Sequence, residues 1–147
     1  PPPDCYEKVR LEILLGVESG YNPPYVDADN AAFNRIIQLL RYLDLLYPSE
    51  GWGAYLDAGG APRWDLITFA GHSQGGGHAA MTAKLETVDR AILFNATEPQ
   101  AWTTTAFATL PGRFFGFAHT GEPIYQGIWN SWRNLGIPGA MAPTSEG

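Results

Sequence analysis

The segment from residue 66 to residue 85 constrains the fold more than any other part of the sequence. Residues 66–70 form a short apolar run bounded by an aspartate and a glycine, which is typical of a buried central strand. The next five residues read Gly-His-Ser-Gln-Gly, and residues 74–85 are compatible with a helix. A strand and a helix joined by so short a turn predict the repeating unit of an α/β fold.

The second half of the chain continues this alternation of strands and helices. Residues 91–94 predict a second buried strand, and residues 114–118 predict a weaker third. Between them, the alanine- and threonine-rich segment 99–110 is compatible with a helix. A final short helix is predicted over 128–135.

Two helices are predicted before the first strand. The clearer one is indicated by apolar residues at spacings of three and four, namely Phe33, Ile36, Ile37, Leu40, Leu43 and Tyr47. Asp27 or Asp29 is expected to cap its start, and Pro48 to end it. Residues 6–17 show both strand-like alternation and good helix formers, and we interpret them as a short helix. A glycine-rich loop is predicted over 49–64.

Strands that alternate with helices imply parallel strands connected by right-handed crossovers. The predicted fold class is therefore α/β, a three-layer sandwich with a mostly parallel sheet. The chain has 147 residues, which is enough for one domain with a real core and too few for two. We expect a single domain over residues 1–147.

Composition argues against several classes of partner. The net charge is −6, and the nine basic residues are scattered, so we expect no nucleic acid partner. We expect no membrane span, because no apolar run approaches roughly 18 residues. No His/Cys/Asp set has metal-ligand spacing, and the glycine run 75–77 lacks the Lys-Ser/Thr of a phosphate loop. No metal and no cofactor are expected.

The Gly-x-Ser-x-Gly turn has a chemical interpretation. A tight turn between strand and helix lifts the Ser73 hydroxyl above the edge of the sheet, where it can act as a nucleophile. Gly71 and Gly75 are expected to leave room where a Cβ would collide, and Gly76 to let the helix pack closely. The backbone N–H of Gln74, at the positive end of that helix, can bind an oxyanion.

Residues 64–80, which contain Gly71-His72-Ser73-Gln74-Gly75, closely resemble the nucleophile elbow of α/β-hydrolase serine esterases and lipases. Elsewhere in the chain, the resemblance extends to the order of elements. It implies a Ser-acid-His mechanism on an ester or related small-molecule acyl substrate. It also implies that Ser73 is the nucleophile, Gln74 the first oxyanion donor and His72 part of the elbow.

Two glutamates match the position of the acid in this family. Glu122 follows the third predicted strand, which is the commoner location, and Glu98 follows the second, which is the rarer one. Position favours Glu122. Most relatives have Asp here, so the sequence departs from the family at both positions, and solvent-exposed glutamates near strand ends often have no special role.

Three histidines are candidates for the base. His72 belongs to the turn, and His78 lies on the following helix, where packing or solvent exposure is its expected role. His119 lies at a strand end on the catalytic side, so it is expected either to line the pocket or to act as the base. The family takes its base from a loop after one further strand, and residues 122–147 contain no such strand.

These departures lead us to expect that the chain is part of a longer polypeptide. Strands would precede Pro1, and a strand with the catalytic histidine would follow Gly147, so this segment alone is expected to be inactive and the rest of the polypeptide to be its partner. The single cysteine, Cys5, is either a buried thiol or half of a disulfide with an upstream partner. A disulfide would make the parent secreted or periplasmic, and otherwise it would be cytoplasmic.

Two other functions use the same residues. Acyl transfer to an acceptor other than water needs the same nucleophile and oxyanion donor. A non-catalytic protein that keeps the fold and binds a ligand or partner would explain the missing base.

Overall fold

The structure is a computed structural model that describes residues 2–21, 25–96 and 100–138. The chain divides into two compact units, Pro1–Ile67 and Thr68–Gly147. Its secondary structure mixes helices with a small parallel sheet, which confirms the α/β class. Within the described ranges, no helix has the length and apolar character needed to cross a membrane.

The first unit is helical. Helix α1 spans Cys5–Leu15 and helix α2 spans Ala32–Leu46, which confirms both predicted helices and the end before Pro48. Cys5, at the start of α1, is half-buried. The glycine-rich loop after α2 is tied back to it, because the Gly53 N–H donates to the Asp44 carboxylate over 2.9 Å.

The predicted cap of α2 is wrong. Its first flanking residue is Ala31, and no side chain caps the helix. Asp27 is engaged one turn earlier, where its Oδ1 accepts hydrogen bonds from both the backbone N–H and the side-chain amide of Asn30, at 2.9 and 2.8 Å. Asp29 contributes its backbone carbonyl, which accepts from the Asn34 side chain over 2.8 Å. Both aspartates therefore stabilise the approach to the helix.

A buried carboxylate organises the segment between α1 and α2. The Glu12 side chain is 3% exposed and accepts hydrogen bonds from the N–H groups of Ser19 and Val26, each over 3.1 Å. These bonds lower the pKa of Glu12, with Ser19 as the largest cause. An ionised side chain is tolerated at this depth because backbone donors replace its water.

The second unit contains a three-stranded parallel sheet. Strands β1 (Thr68–His72), β2 (Arg90–Phe94) and β3 (Phe114–Phe117) pair in that order. The second and third strands lie where they were predicted. Helix α3 (Gln74–Leu85) follows β1, and helix α4 (Tyr125–Asn134) follows β3, three residues earlier than predicted.

The first strand differs from its prediction in two ways. It begins two residues later, because residues 64–66 form a 3-10 turn in which the Leu66 N–H donates to the Arg63 carbonyl over 3.0 Å. It is also an edge of the described sheet, and its residues alternate between exposed and half-buried rather than being uniformly buried. The apolar run therefore predicted the position of the strand to within two residues. The prediction that this strand is buried in the centre of the sheet is wrong.

Both helices of this unit lie on one face of the sheet. Gly71, Leu93 and Gly116 are register partners and face the same side. A Cβ at Gly71 would lie 2.6 Å from the α3 backbone at Gly76, and one at Gly116 would lie 2.8 Å from the ring of Trp132 on α4. On the opposite face Phe94, Phe115 and Phe117 are exposed. The third layer stays a prediction.

The connection from β2 to β3 is not the helix suggested for 99–110. Among its described residues it forms two 3-10 turns, Ala101–Thr104 and Pro111–Arg113. The hydroxyls of Thr103, Thr104 and Thr105 each donate a hydrogen bond to the carbonyl three residues earlier. Such side-chain bonds compete with the backbone bonds of a helix. Further along, the Thr109 N–H donates to the Ala83 carbonyl at the end of α3 over 3.0 Å. The Ala108 N–H likewise donates to the Lys84 carbonyl over 3.1 Å, so the end of the segment pairs with α3 instead of continuing a helix.

Candidate active site

Ser73 is the residue between β1 and α3, and its backbone is held in an unusual conformation. It has φ 53° and ψ −117°, and its side chain is exposed. Its N–H donates to the Phe94 carbonyl over 2.9 Å, and its carbonyl accepts from the N–H groups of Gly76 and Gly77 at 3.1 and 3.2 Å. The next strand and the first turn of α3 thus fix the residue on both sides.

This conformation is costly for a residue with a Cβ. Within the described ranges, Ser73 and Asn95 are the two non-glycine residues with positive φ. Holding a non-glycine residue in such a region costs on the order of 1–3 kcal/mol, and strain of this kind concentrates at functional sites. The three backbone bonds maintain it at Ser73, and the side chain stays exposed.

The start of α3 offers two backbone donors beside this hydroxyl. The N–H groups of Gly76 and Gly77 are used by the Ser73 carbonyl, whereas those of Gln74 and Gly75 have no acceptor among residues 2–21, 25–96 and 100–138. Free N–H groups at a helix start carry partial positive charge and bind anionic oxygens. The predicted oxyanion donor, Gln74, therefore has an N–H available for a ligand.

The three glycines of the turn differ in how much space a side chain would have at each position. A Cβ at Gly71 would collide with the backbone of Gly75, and one at Gly76 would collide with the Ala96 side chain and lie 2.8 Å from the Gly71 carbonyl oxygen. A Cβ at Gly75 would meet no described atom within 4 Å. The expected close contact at Gly75 is wrong, because this residue presents its backbone, not its Cα hydrogens, to Gly71.

Parallel strands bring their carboxyl ends to one edge of the sheet, so the residues that follow them gather there. Ser73 follows β1, Asn95 follows β2, and the loop with His119 and Glu122 follows β3. Neighbouring strands lie roughly 4.8 Å apart, which separates the ends of β1 and β3 by roughly 10 Å. Ser73 and the loop after β3 therefore lie at the same edge of the sheet, with the end of β2 between them.

The loop after β3 is held by a small hydrogen-bond network. The Asn95 side chain accepts from the His119 N–H over 3.1 Å and donates to Glu122 Oε2 over 3.3 Å. The Glu122 N–H donates to the His119 carbonyl over 3.0 Å. Glu122 is half-buried and His119 is exposed. The other candidate acid, Glu98, lies outside the described residues.

The His119 imidazole has one nitrogen already engaged. Its Nδ1 accepts a hydrogen bond from the Gly121 N–H over 3.0 Å. In the neutral ring this leaves the proton on Nε2, which is then a donor and not an acceptor. A histidine that takes a proton from serine needs the opposite tautomer. In its present conformation, His119 is suited to donating a hydrogen bond to a substrate oxygen.

The structure does not join the candidate residues into a triad. In the part of the chain that is described, the Ser73 hydroxyl has no hydrogen-bond partner, and no bond connects the His119 imidazole with the Glu122 carboxylate. His72, the last residue of β1, is exposed. His78 is half-buried on α3. Ser73 and Glu122 therefore follow strands that end at the same edge of the sheet, and among the described residues no imidazole is bonded to either side chain.

Comparisons of the chain with protein-family models, curated proteins and solved structures found no match. No cluster of three or more His, Cys, Asp or Glu side chains suited to a metal ion occurs in the described segments. The chemistry of the site therefore has to be argued from its own residues.

The sequence-based prediction missed Asn95. Its functional context depends on partners 24 and 27 residues away, which no local pattern reveals. The sequence did contain one signal. Asn95 comes directly after the predicted second strand, and asparagine is one of the few residue types that readily accept positive φ.

Proposed function

We propose that this chain carries the nucleophile of a serine hydrolase that acts on carboxylic esters or related acyl compounds, in a three-layer α/β-hydrolase fold. The observation that supports it most is the backbone of Ser73. A strained serine between a parallel strand and a glycine-rich helix, with an exposed hydroxyl and a free neighbouring N–H, is costly to maintain and has a direct catalytic use.

Each catalytic group has a role in the proposed reaction. The Ser73 oxygen attacks the carbonyl carbon of the ester while a histidine accepts the hydroxyl proton. The Gln74 N–H stabilises the negative oxygen of the tetrahedral intermediate. The intermediate collapses to an acyl-serine, and the histidine returns its proton to the departing alcohol. Water, activated by the same histidine, then releases the carboxylic acid and restores the Ser73 hydroxyl.

We assign the acid to Glu122 and expect a histidine other than His119 to be the base. Glu122 lies at the correct edge of the sheet, and one of its oxygens, Oε1, accepts no hydrogen bond from a described residue. That oxygen is available to orient an imidazole N–H. His119 is committed through Nδ1 to Gly121, so we give it a pocket-lining role as a donor to the substrate.

A fluorophosphonate probe tests the nucleophile in the natural-length protein that contains these residues. We expect one labelled site, lost in Ser73→Ala and retained in Ser49→Ala, a change at an exposed serine in the first unit. A natural-length protein that is folded and resists the probe would contradict the proposal. The alternative is then a non-catalytic binding protein, which the lack of a base at Ser73 in the described segments favours.

His119→Asn tests the base. Asn keeps an acceptor near the position of Nδ1 for the Gly121 N–H but cannot take up a proton. Loss of a catalytic base costs on the order of 10⁴-fold or more in kcat. We expect a loss of about 10-fold or less, since a neutral hydrogen bond contributes only about 0.5–1.5 kcal/mol. Hydrolysis and acyl transfer are distinguished by adding an alcohol and measuring whether a new ester of that alcohol forms.

A further inference from the structure

Asn95 connects the end of β2 to the end of β3 and the loop after it through three hydrogen bonds. Its N–H donates to the Phe117 carbonyl over 2.8 Å, which extends the β2–β3 pairing by one residue. Its side-chain oxygen accepts from the His119 N–H at 3.1 Å, and its side-chain NH₂ donates to Glu122 Oε2 at 3.3 Å. Both ends of the side-chain amide are therefore engaged by the same loop.

We propose that Asn95 is a positioning residue that holds the Glu122 carboxylate in the orientation required for catalysis. The inference rests on the proposed function, and it adds a residue to the site. One carboxylate oxygen, Oε2, is fixed by the Asn95 amide, and the other, Oε1, accepts no hydrogen bond from a described residue, so it is available to an imidazole N–H. A Glu122 carboxylate held in this way is already in the rotamer needed to orient an imidazole, so little side-chain freedom is lost during the reaction.

The residue type fits this role in three ways. Asn has a donor and an acceptor at a fixed separation, and this loop needs one of each. It is neutral, so it orients the carboxylate without cancelling the negative charge that an imidazolium requires, as Lys or Arg would. It also tolerates the φ of 44° that directs the side chain into the loop. Gln would place the same amide one methylene too far.

Two substitutions distinguish the two side-chain hydrogen bonds of Asn95, and both replacement residues tolerate the positive φ at this position. Asn95→Gly accepts positive φ and removes both bonds. Asn95→Asp also accepts it and keeps the acceptor for the His119 N–H, but it replaces the donor to Glu122 with a second carboxylate. Asn130→Asp on α4, an exposed position, is the matched charge control. All are made in the natural-length protein.

Turnover of p-nitrophenyl acetate and hydrogen exchange at the His119 amide are then measured. We expect kcat to fall on the order of 10- to 100-fold in both Asn95 variants, the size of effect that a small misplacement produces, with KM unchanged. We expect the His119 amide to be protected in the wild type and in Asn95→Asp and to exchange faster in Asn95→Gly. Asn130→Asp should match the wild type in both measurements.

The outcomes distinguish the two proposals. An active wild type whose kcat survives in Asn95→Gly or Asn95→Asp overturns the role of Asn95 and leaves the hydrolase proposal standing. A fall in kcat in Asn95→Gly alone also overturns it, because the contact with Glu122 is then unimportant. A wild type that neither turns over esters nor reacts with a fluorophosphonate, although its His119 amide is protected, rejects the hydrolase proposal and the catalytic role of Asn95 with it.

Discussion

Gly76 and Ala96 approach each other so closely that a Cβ at Gly76 would overlap the Cβ of Ala96. This contact lies directly beneath the turn that carries Ser73. Because Gly76 also donates its N–H to the Ser73 carbonyl over 3.1 Å, the packing of α3 and the conformation of the serine depend on the same residue.

Gly76→Ala should therefore destabilise the protein, whereas Gly75→Ala should not. The added methyl at Gly76 has to displace Ala96 or the helix, and overpacking of this kind costs about 1–3 kcal/mol. At Gly75 a Cβ meets no described atom within 4 Å, and replacing a helical glycine with alanine stabilises by up to about 1 kcal/mol. Urea unfolding of both variants measures the difference. Equal stabilities would contradict the close packing at Gly76.

The stored strain at Ser73 can be measured by comparing two substitutions at that position. Both Ser73→Gly and Ser73→Ala remove the hydroxyl, but glycine accepts φ 53° and ψ −117° while alanine does not. Relief of about 1–3 kcal/mol of strain outweighs the entropy cost of glycine, about 0.5–1 kcal/mol. We expect the glycine variant to unfold at higher urea concentration by an amount equivalent to about 1 kcal/mol.

The same pair of substitutions at Ser49 provides the control. Ser49 lies in a 3-10 turn, Pro48–Glu50, and is not among the residues with positive φ. Alanine should be the more stable variant there, so the order reverses. The same order at both positions would mean that Ser73 is not strained.

Thr109 makes one buried and one partly buried hydrogen bond, which fix the connection between β2 and β3. Its hydroxyl donates to the Glu86 carbonyl over 2.7 Å and accepts from the Val88 N–H over 2.9 Å, and both Thr109 and Val88 are fully buried. Thr109→Val keeps the shape and leaves this N–H unsatisfied, which costs about 1–3 kcal/mol. Thermal unfolding of the variant tests this expectation.

Thr104→Val is the matched control for Thr109. The Thr104 hydroxyl is exposed and bonds locally to the Ala101 carbonyl over 2.8 Å. Water can replace that bond, so the change should alter stability by less than about 0.5 kcal/mol. A cost at Thr104 as large as that at Thr109 would show that side-chain shape, and not the buried bonds, determines the effect.

The sequence predicted the parts of this fold that local signals specify. The helices, the second and third strands and the position of Ser73 follow from apolar spacing and from glycines within a few residues of one another. The errors arise where hydrogen bonds other than the predicted ones form. Asp27 bonds locally to Asn30 instead of capping α2, and near the end of 99–110 the N–H groups of Ala108 and Thr109 donate to carbonyls of α3 instead of forming a helix.

The candidate site divides in the same way. Ser73 and the free N–H of Gln74 belong to one local turn, so a short motif predicts them. The Asn95 side chain contacts residues 24 and 27 positions away, so no local pattern predicts those contacts, whereas the hydrogen bond at His119 Nδ1 comes from Gly121, two residues on. Glycine content alone also failed to show that Gly76, rather than Gly75, is the crowded position.

The buried carboxylate of Glu12 links the stability of the protein to pH. Hydrogen bonds from Ser19 and from the Val26 N–H lower its pKa in the folded state, whereas an unfolded glutamate has a pKa of about 4.3. A lowered folded pKa means that the stabilisation is fully present above this value and is lost as pH falls through the folded pKa. Glu12→Gln should therefore be less stable than the wild type at pH 7, and the gap should narrow below about pH 4.

Glu18→Gln provides the matched control, since Glu18 is an exposed glutamate of the same segment. It should track the wild type at every pH. Urea unfolding between pH 3 and pH 7, with hydrogen exchange at the Ser19 amide as a local readout, measures both variants. Faster Ser19 exchange in Glu12→Gln at pH 7 should accompany the loss of stability, because the Gln side chain can satisfy at most one of the two N–H donors. A stability gap that stays constant across this pH range would mean that Glu12 stabilises the loop by packing and not by its charge.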